Sequence, residues 1–383
     1  MARKPEATDY RRLMCDRLES IAYPGEHANL LGHDKALAEV NHAYKKQRMH
    51  HAWLVTGPKG IGKATFALAV AAHMLRYPDL SSTSDQIIMP GPDDETFRLV
   101  GKGGHPNVLH ITRPLNDKTG KFRTEITIEE IRKLKTFLNR TRVQDGWRVC
   151  IIDTADELNL NATNALLKIL EEPPERTVFF ILANNPGRLL PTIRSRCRQL
   201  PLRQLANENL HQALELLGVE LDHLNEQEFD SLYRLSQGSV RKAITLLQLD
   251  GIALHQRFGE IIAVTHQGDT DWLKIHKLAD ELSRANKDEQ FRLLLDIAQI
   301  YIAGSLHFTN APLTADSANA RQRSPMKGLS PISAPLKQSM LSRLARLCEV
   351  WEKTAASVSL ADGYNLDRKQ IIINLFGSLS QVH

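Results

Sequence analysis

Arg148–Arg198 reads RVCIIDTADELNLNATNALLKILEEPPERTVFFILANNPGRLLPTIRSRCR. Val149–Ile152 and Val178–Leu182 are short runs of β-branched and aromatic residues, the composition of strands buried on both faces. Between them, Asn161–Leu170 places Ala162, Ala165, Leu166 and Ile169 at helical spacing. A strand ending in Asp153, a helix and a second strand make a βαβ unit. Ligands of parallel sheets gather at the carboxyl ends of strands, so Asp153 falls where a nucleotide would lie.

Upstream, Ala52–Thr56 (AWLVT) reads as a buried strand that delivers the chain into Gly57-Pro58-Lys59-Gly60-Ile61-Gly62-Lys63-Ala64, and Thr65–Leu75 is helical. Strand, glycine-rich turn, lysine and helix are the context in which a P-loop match becomes credible. Gly57, Gly60 and Gly62 let backbone N–H groups wrap a phosphate, the helix N-terminus adds partial positive charge, and Lys63 reaches the outer phosphates. The last position departs from the motif. A hydrolytic P-loop ends in Ser or Thr, whose hydroxyl ligates Mg²⁺, and Ala64 has no ligand atom. Thr65 is not a simple substitute, because one step along a helix turns the side chain by about 100°. The loop is then a weakened nucleotide site or a scaffold derived from one.

The surrounding pattern alternates strand and helix. A helix is predicted over Lys35–Gln47, an exposed loop over Ser81–Asp94 and a strand over Val108–Ile111. Thr127 and Glu130 have capping-box spacing ahead of a helix with Ile128, Ile131, Leu134 and Leu138 on one face. The alternation fits an α/β fold with a parallel sheet. His105, His110 and the His50-His51 pair read as surface or packing residues, since no third ligand falls at metal spacing.

At 383 residues the chain is long enough for two or three domains. No apolar stretch approaches a membrane span and the start lacks the apolar centre of a signal peptide, which predicts a soluble cytoplasmic protein with no membrane partner. The net charge of +5 permits nucleic-acid contact without arguing for it. Cys15, Cys150, Cys197 and Cys348 form no C-x-x-C pair. From about Pro201 the pattern is helical throughout. Leu210, Leu214 and Leu217 share one face and Phe229, Leu232 and Leu235 another, and Ser239 stands as an N-cap before Val240–Leu249. Further helical spacing covers Ile261–Val264, Trp272–Leu282, Phe291–Ile302, Met340–Lys353 and Ile371–Phe376. Phe308–Leu336, rich in Pro, Ser, Ala and Thr, reads as a mobile loop. The predicted domains are an N-terminal extension over 1–23, an α/β nucleotide-binding-like domain over 24–200, a helical lid over 201–252 and an all-helical domain over 253–383, with the loop at about 308–336.

Asn164-Ala165-Leu166-Leu167-Lys168-Ile169-Leu170-Glu171-Glu172-Pro173-Pro174-Glu175, with Ser195-Arg196-Cys197 after a strand, resembles the bacterial DNA polymerase III clamp-loader subunits of the AAA+ class. Leu31-Gly32-His33, the Gly-His-Pro turn at 104–106 and Asn365–Gln370 extend the resemblance over most of the chain. Within that family it is most similar to the delta-prime kind. The resemblance implies an AAA+ P-loop domain, a small lid and a helical collar that joins subunits into a ring. It also implies a component of a DNA polymerase holoenzyme that helps open the sliding clamp and load it on primed DNA. Its partners would be the motor and clamp-opening subunits, the sliding clamp and polymerase complex, and primer-template DNA held through the assembled complex.

Residue by residue, Asp153 stands where the family's second nucleotide motif has its Mg²⁺-associated carboxylate, but the water-activating Glu is replaced by Thr154, which cannot accept a proton as a carboxylate does. Asp156 and Glu157 are the available stand-ins. Asn184 or Asn185 matches the first sensor, with Asn184 taken as the site residue, and Arg241 matches the second. With Ala64, these departures imply that ATP binds weakly or not at all and that the chain has no ATPase activity of its own. On composition alone Arg196 is an ordinary surface arginine beside Arg194 and Arg198. The resemblance reverses that reading, because the family offers this arginine in trans to the ATP of a neighbouring subunit. Many relatives carry a four-cysteine zinc module, and no cysteine lies between Cys15 and Cys150, so no zinc is expected. The rival reading is a motor-type ATPase using Lys63, Asp153 and Arg241 in cis, and Ala64 and Thr154 separate the two.

Overall fold

Five strands hydrogen-bond in the order β2-β5-β6-β1-β7, every neighbouring pair parallel. They are β1 (Ala52–Thr56), β2 (Val108–Ile111), β5 (Arg148–Ile152), β6 (Thr177–Ala183) and β7 (Arg198–Pro201). The computed structural model describes residues 18, 21, 23–26, 30–78, 87, 91, 93–116, 118–139, 146–266, 269–308, 334–364 and 367–382. The chain divides into two units, Met1–Ile244 and Thr245–His383, and the division falls within α9 (Val240–Gln248).

In the first unit the strands lack alternating polarity because both faces of the sheet are covered. Trp53, Val55, Val149, Ile151, Phe180 and Leu182 point to one side, into a core with Val40 and Tyr44 of α1 (Asp34–Lys45) and Phe66 and Val70 of α2 (Lys63–Arg76). Leu54, Cys150, Ile152, Phe179 and Ile181 point to the other, against Ile131 and Leu134 of α4 (Ile128–Leu138) and Leu166 and Leu170 of α5 (Leu160–Glu171). Phe179 and Phe180 are wholly buried on opposite faces. Truncating either to Ala removes about 3–5 kcal/mol of burial and packing. Helices on both faces of a parallel sheet are the α/β class read from the sequence.

Several elements of this unit lay outside that reading. β7, Arg-Gln-Leu-Pro, buries only Leu200, so no hydrophobic run announces it. A short antiparallel hairpin joins β3 (Leu115–Asn116) to β4 (Lys121–Phe122). Before them, α3 (Glu95–Gly101) is started by Asp94, whose side chain accepts from the N–H of Phe97 at 3.1 Å. The capping box expected at Thr127 and Glu130 does not form. Thr127 makes no side-chain bond to the helix, and Glu130 pairs with Lys133 at 2.7 Å. A reciprocal box does form at α8 (Glu226–Ser236). There the Glu228 N–H donates to Asn225 Oδ1 at 2.9 Å, and the Asn225 N–H donates to Glu228 Oε2 at 3.0 Å. Ser195 and Arg196 do not follow a strand directly; they end α6 (Pro191–Arg196), and Cys197 leads into β7. After β7 come α7 (Asn207–Leu216), α8 and the start of α9.

The second unit is helical: α10 (Gly251–His266), α11 (Trp272–Leu282), α12 (Asp288–Phe308), α13 (Ala334–Tyr364) and α14 (Arg368–Ser380). Its core holds Phe258, Ile275, Leu278, Leu294, Ile372 and Phe376, with the Phe258 ring 5.6 Å from Tyr301 and 5.4 Å from Phe376. Residues 334–336 belong to α13 rather than to the expected loop, and the rest of that loop after Phe308 lies outside the described residues, as does most of the 1–23 extension. No helix of the described residues is long and apolar enough to cross a membrane.

Candidate functional site

Sheet order decides what meets the glycine-rich loop. β1 lies between β6 and β7, with Thr56 opposite Ala183 on one side and Pro201 on the other, so the loop leaves the sheet at its switch point. Gly57 adopts φ +150°, and a Cβ there would stand 2.6 Å from the Leu202 carbonyl oxygen. Gly62, at φ +100°, is the N-cap of α2. The turn closes because its glycines take backbone conformations that side-chain-bearing residues resist.

Lys63 is the first residue of α2, and its ammonium is buried. Nζ donates to Gly57 O at 2.8 Å, Pro58 O at 2.7 Å and Asn184 Oδ1 at 2.7 Å. An ammonium has three N–H donors, so each has an acceptor within the protein. Burial pushes the Lys63 pKa down to about 8, opposed by the nearby Asp153 and Asp156 carboxylates. Asn184, at the end of β6, is thus the asparagine that meets the loop lysine. Asn185 turns away and accepts from the Gly187 N–H at 3.1 Å.

Of the carboxylates after β5, Asp156 and Glu157 are engaged and Asp153 lies beside a histidine. Asp153 Oδ2 lies 3.6 Å from His110 Nε2, and Tyr23 Oη is 2.9 Å from His110 Nδ1. His110, read from the sequence as a packing or surface histidine, is a buried neighbour of Asp153; pairing of β2 with β5 brings them together. Thr154 sits at φ +56°, an uncommon conformation for a β-branched residue, and its hydroxyl donates back to Asp153 O at 2.7 Å. Asp156 accepts from the backbone N–H groups of Asn184 at 3.2 Å and Asn185 at 3.0 Å. Glu157 pairs with Arg113 at 2.9 Å.

The loop's outer side carries the start of α9. Ser239 Oγ donates to Lys59 O at 2.9 Å and accepts from the Lys242 N–H at 3.2 Å, so it caps α9 and ties it to the loop. The Arg241 N–H approaches Gly60 O at 3.4 Å. Gly60 has φ +80°, and a Cβ on it would stand 2.5 Å from both Ser239 Oγ and Arg241 Cβ. His33 joins from below: its Nε2 is 2.8 Å from Ile61 O, and burial lowers its pKa. Its signal in the sequence was the Leu31-Gly32-His33 triplet, not assigned to the site.

Gly57, Gly60, Gly62, Lys63, Asp153, Asn184 and the Arg241 backbone therefore cluster at one end of the sheet, and Thr65 is half-buried in the first turn of α2. The donor set does not fit a hydrolytic Mg²⁺–nucleotide centre. Ala64 supplies no metal ligand, Thr154 no carboxylate, and the stand-ins Asp156 and Glu157 are bound to backbone amides and to Arg113. Among the described residues no group of three or more His, Cys, Asp or Glu could hold a metal ion.

The three arginines around Cys197 differ. Arg198 pairs with Glu39 at 2.7 Å and stacks 4.9 Å over the Trp53 ring. Arg194 is half-buried and its Nε has no hydrogen-bond partner. Arg196, the last residue of α6, donates from Nη2 to Glu171 Oε1 at 2.8 Å and from Nη1 to Thr192 O at 3.1 Å, with its side chain 37% exposed.

Residues 32–206 match the family described as DNA polymerase III, delta subunit. The DNA polymerase III subunit delta' of Pseudomonas aeruginosa is 30% identical over 249 residues, covering 64% of this chain and 68% of that protein. The chain belongs to the DNA polymerase III clamp-loader family. Other relatives in this clamp-loader family carry both kinds of subunit name. Subunit delta' of Bacillus subtilis is 32% identical over 42% of this chain and 44% of its own length. Subunit tau of Escherichia coli is 27% identical over 58% of this chain and 32% of its own length. A gamma subunit-related protein of Thermotoga maritima aligns over 90% of this clamp-loader chain and 99% of its own at 18% identity, with a TM-score of 0.37, too loose a match to bear on the site.

Proposed function

We propose that this clamp-loader chain is a stator subunit of the delta-prime kind: it hydrolyses no ATP itself and offers Arg196 in trans to ATP held by a neighbouring motor subunit. The observation that carries the reading is the engagement of Asp156 and Glu157, the two carboxylates that could stand in for the missing base. With Asp156 on two amides and Glu157 on Arg113, neither is placed as a general base, and Thr154 cannot serve as one. Ala64 supplies no hydroxyl for Mg²⁺, which supports weak ATP binding or none. Arg196 presents the opposite character: a permanently charged, planar fork, accessible at a helix end, suited to bridging phosphate oxygens as charge accumulates on them.

In this role the chain works in the cytoplasm beside motor and clamp-opening subunits, in loading the sliding clamp on primed DNA for the polymerase. DNA contact within the assembly is to the phosphate backbone, salt-sensitive and without sequence preference. The test is turnover. The isolated chain is expected to show no Mg²⁺-dependent ATP hydrolysis, and Arg196→Ala is expected to fold normally but to lower ATPase and clamp loading by the reconstituted complex. Hydrolysis by the chain alone, abolished by Lys63→Ala, would instead establish a motor subunit.

A further inference from the structure

Arg196 leaves a helix too short to hold it. α6 has six residues, and its terminal side chain has four rotatable bonds. Two contacts restrain it: its own helix, through the Thr192 carbonyl, and a second helix, through Glu171, the last residue of α5. Ile193 is fully buried and Cys197 nearly so, which pins α6 against the sheet while the guanidinium reaches sideways to α5. Exposed ion pairs contribute little to stability, so the consequence of this one lies in orientation.

We infer that Glu171 is the positioning residue of the trans arginine, holding its guanidinium in the orientation that a neighbouring subunit's phosphate meets; this rests on the reading of Arg196 proposed above. The geometry favours positioning over sequestration. A guanidinium has five N–H donors, and a carboxylate that competed with phosphate would take two of them side by side. Glu171 takes one, through Oε1 alone, and Thr192 takes one from the other terminal nitrogen. Three donors remain for an incoming anion. Ordering a long side chain before assembly removes that entropy cost from the step in which the neighbour's phosphate is engaged.

The test compares Glu171→Ala, Glu171→Gln and Arg196→Ala in the complex reconstituted with the other clamp-loader subunits, with ATP turnover measured on primed DNA and clamp. Glu171→Ala is expected to lower kcat about three- to tenfold with KM for ATP unchanged, since the neighbour's binding groups are untouched. Glu171→Gln keeps an oxygen for Nη2 and is expected to retain more than half of the activity. In the Arg196→Ala background the Glu171→Ala effect should vanish, because the two residues act as one unit. If Arg196→Ala lowers turnover while Glu171→Ala leaves kcat unchanged or raises it, or if the Gln variant is as poor as the Ala variant, the positioning role is overturned and the stator reading stands. If Arg196→Ala itself has no effect, the stator reading fails and the positioning role fails with it.

Discussion

Lys63 Nζ lies 2.7 Å from Asn184 Oδ1, joining the start of α2 to the end of β6 across 121 residues of sequence. Its remaining two donors go to carbonyls of the glycine-rich loop itself. Pro58 O and Gly57 O complete its shell, and Asp156 fixes the backbone that carries Asn184. The loop, the asparagine and the acidic turn are therefore one structural unit, and changes in any of them should be felt in the others.

The burial of Lys63 gives stability a pH signature. Its pKa is near 8 in the folded chain and 10.5 in an unfolded one, so between those values the unfolded chain binds more protons and stability from this group rises with pH. Below pH 8 the cost of burying the charged form is fully present, on the order of 3 kcal/mol at most. Urea unfolding of wild type and Lys63→Met from pH 7 to 10.5 should show the difference between them shifting in favour of wild type as pH rises. Parallel curves would show that Lys63 titrates as an ordinary surface lysine.

Gly60→Ala should push α9 off the loop. The added Cβ meets Arg241 Cβ and Ser239 Oγ at 2.5 Å in a backbone already at φ +80°. A loss of about 1–3 kcal/mol is expected, with faster amide exchange at Arg241. Gly120→Ala is the control. It shares a left-handed φ of +65° but has nothing within 4 Å, so only the backbone strain of about 1 kcal/mol should appear.

Asp156→Ala removes the acceptor of two backbone N–H groups, Asn184 and Asn185, and should cost about 1–3 kcal/mol. Asp156→Asn keeps one oxygen and should recover part of it. Hydrogen exchange at residues 184 and 185 is the direct readout, and unchanged protection in the Ala variant would show that the turn is held by other means.

Arg198→Ala should destabilise by about 1–2 kcal/mol, the sum of a ring contact with Trp53 and an exposed ion pair with Glu39. Trp53 fluorescence should shift to the red as its ring gains water. Arg196→Ala, which breaks an exposed ion pair and an exposed bond to the Thr192 carbonyl, should leave melting and emission nearly unchanged. Equal effects of the two substitutions would mean that the arginines are interchangeable.

The strands Ala52–Thr56, Val108–Ile111, Val149–Ile152 and Val178–Leu182 were legible because continuous β-branched and aromatic runs have few other structures to form. β7 was not, since Arg-Gln-Leu-Pro has one apolar residue and becomes a strand by pairing with β1. The Thr127–Glu130 box failed for a related reason: its spacing is right, yet Glu130 has Lys133 one turn away. Local patterns state what a segment can do, and competing partners decide which option is taken.

The sequence by itself determined the chemical inventory: a phosphate-loop lysine at 63, no hydroxyl at 64, no carboxylate at 154 and an arginine at 196. Folding cannot add an atom that a side chain lacks, so those departures stand in any conformation. Only the tertiary structure decided how the inventory is used: that Lys63 turns to Asn184, that Asp156 and Glu157 are engaged, and that Arg196 and Arg198 face different partners. Those pairings join residues far apart in the chain. They follow from the strand order β2-β5-β6-β1-β7, which periodicity within any one segment does not encode.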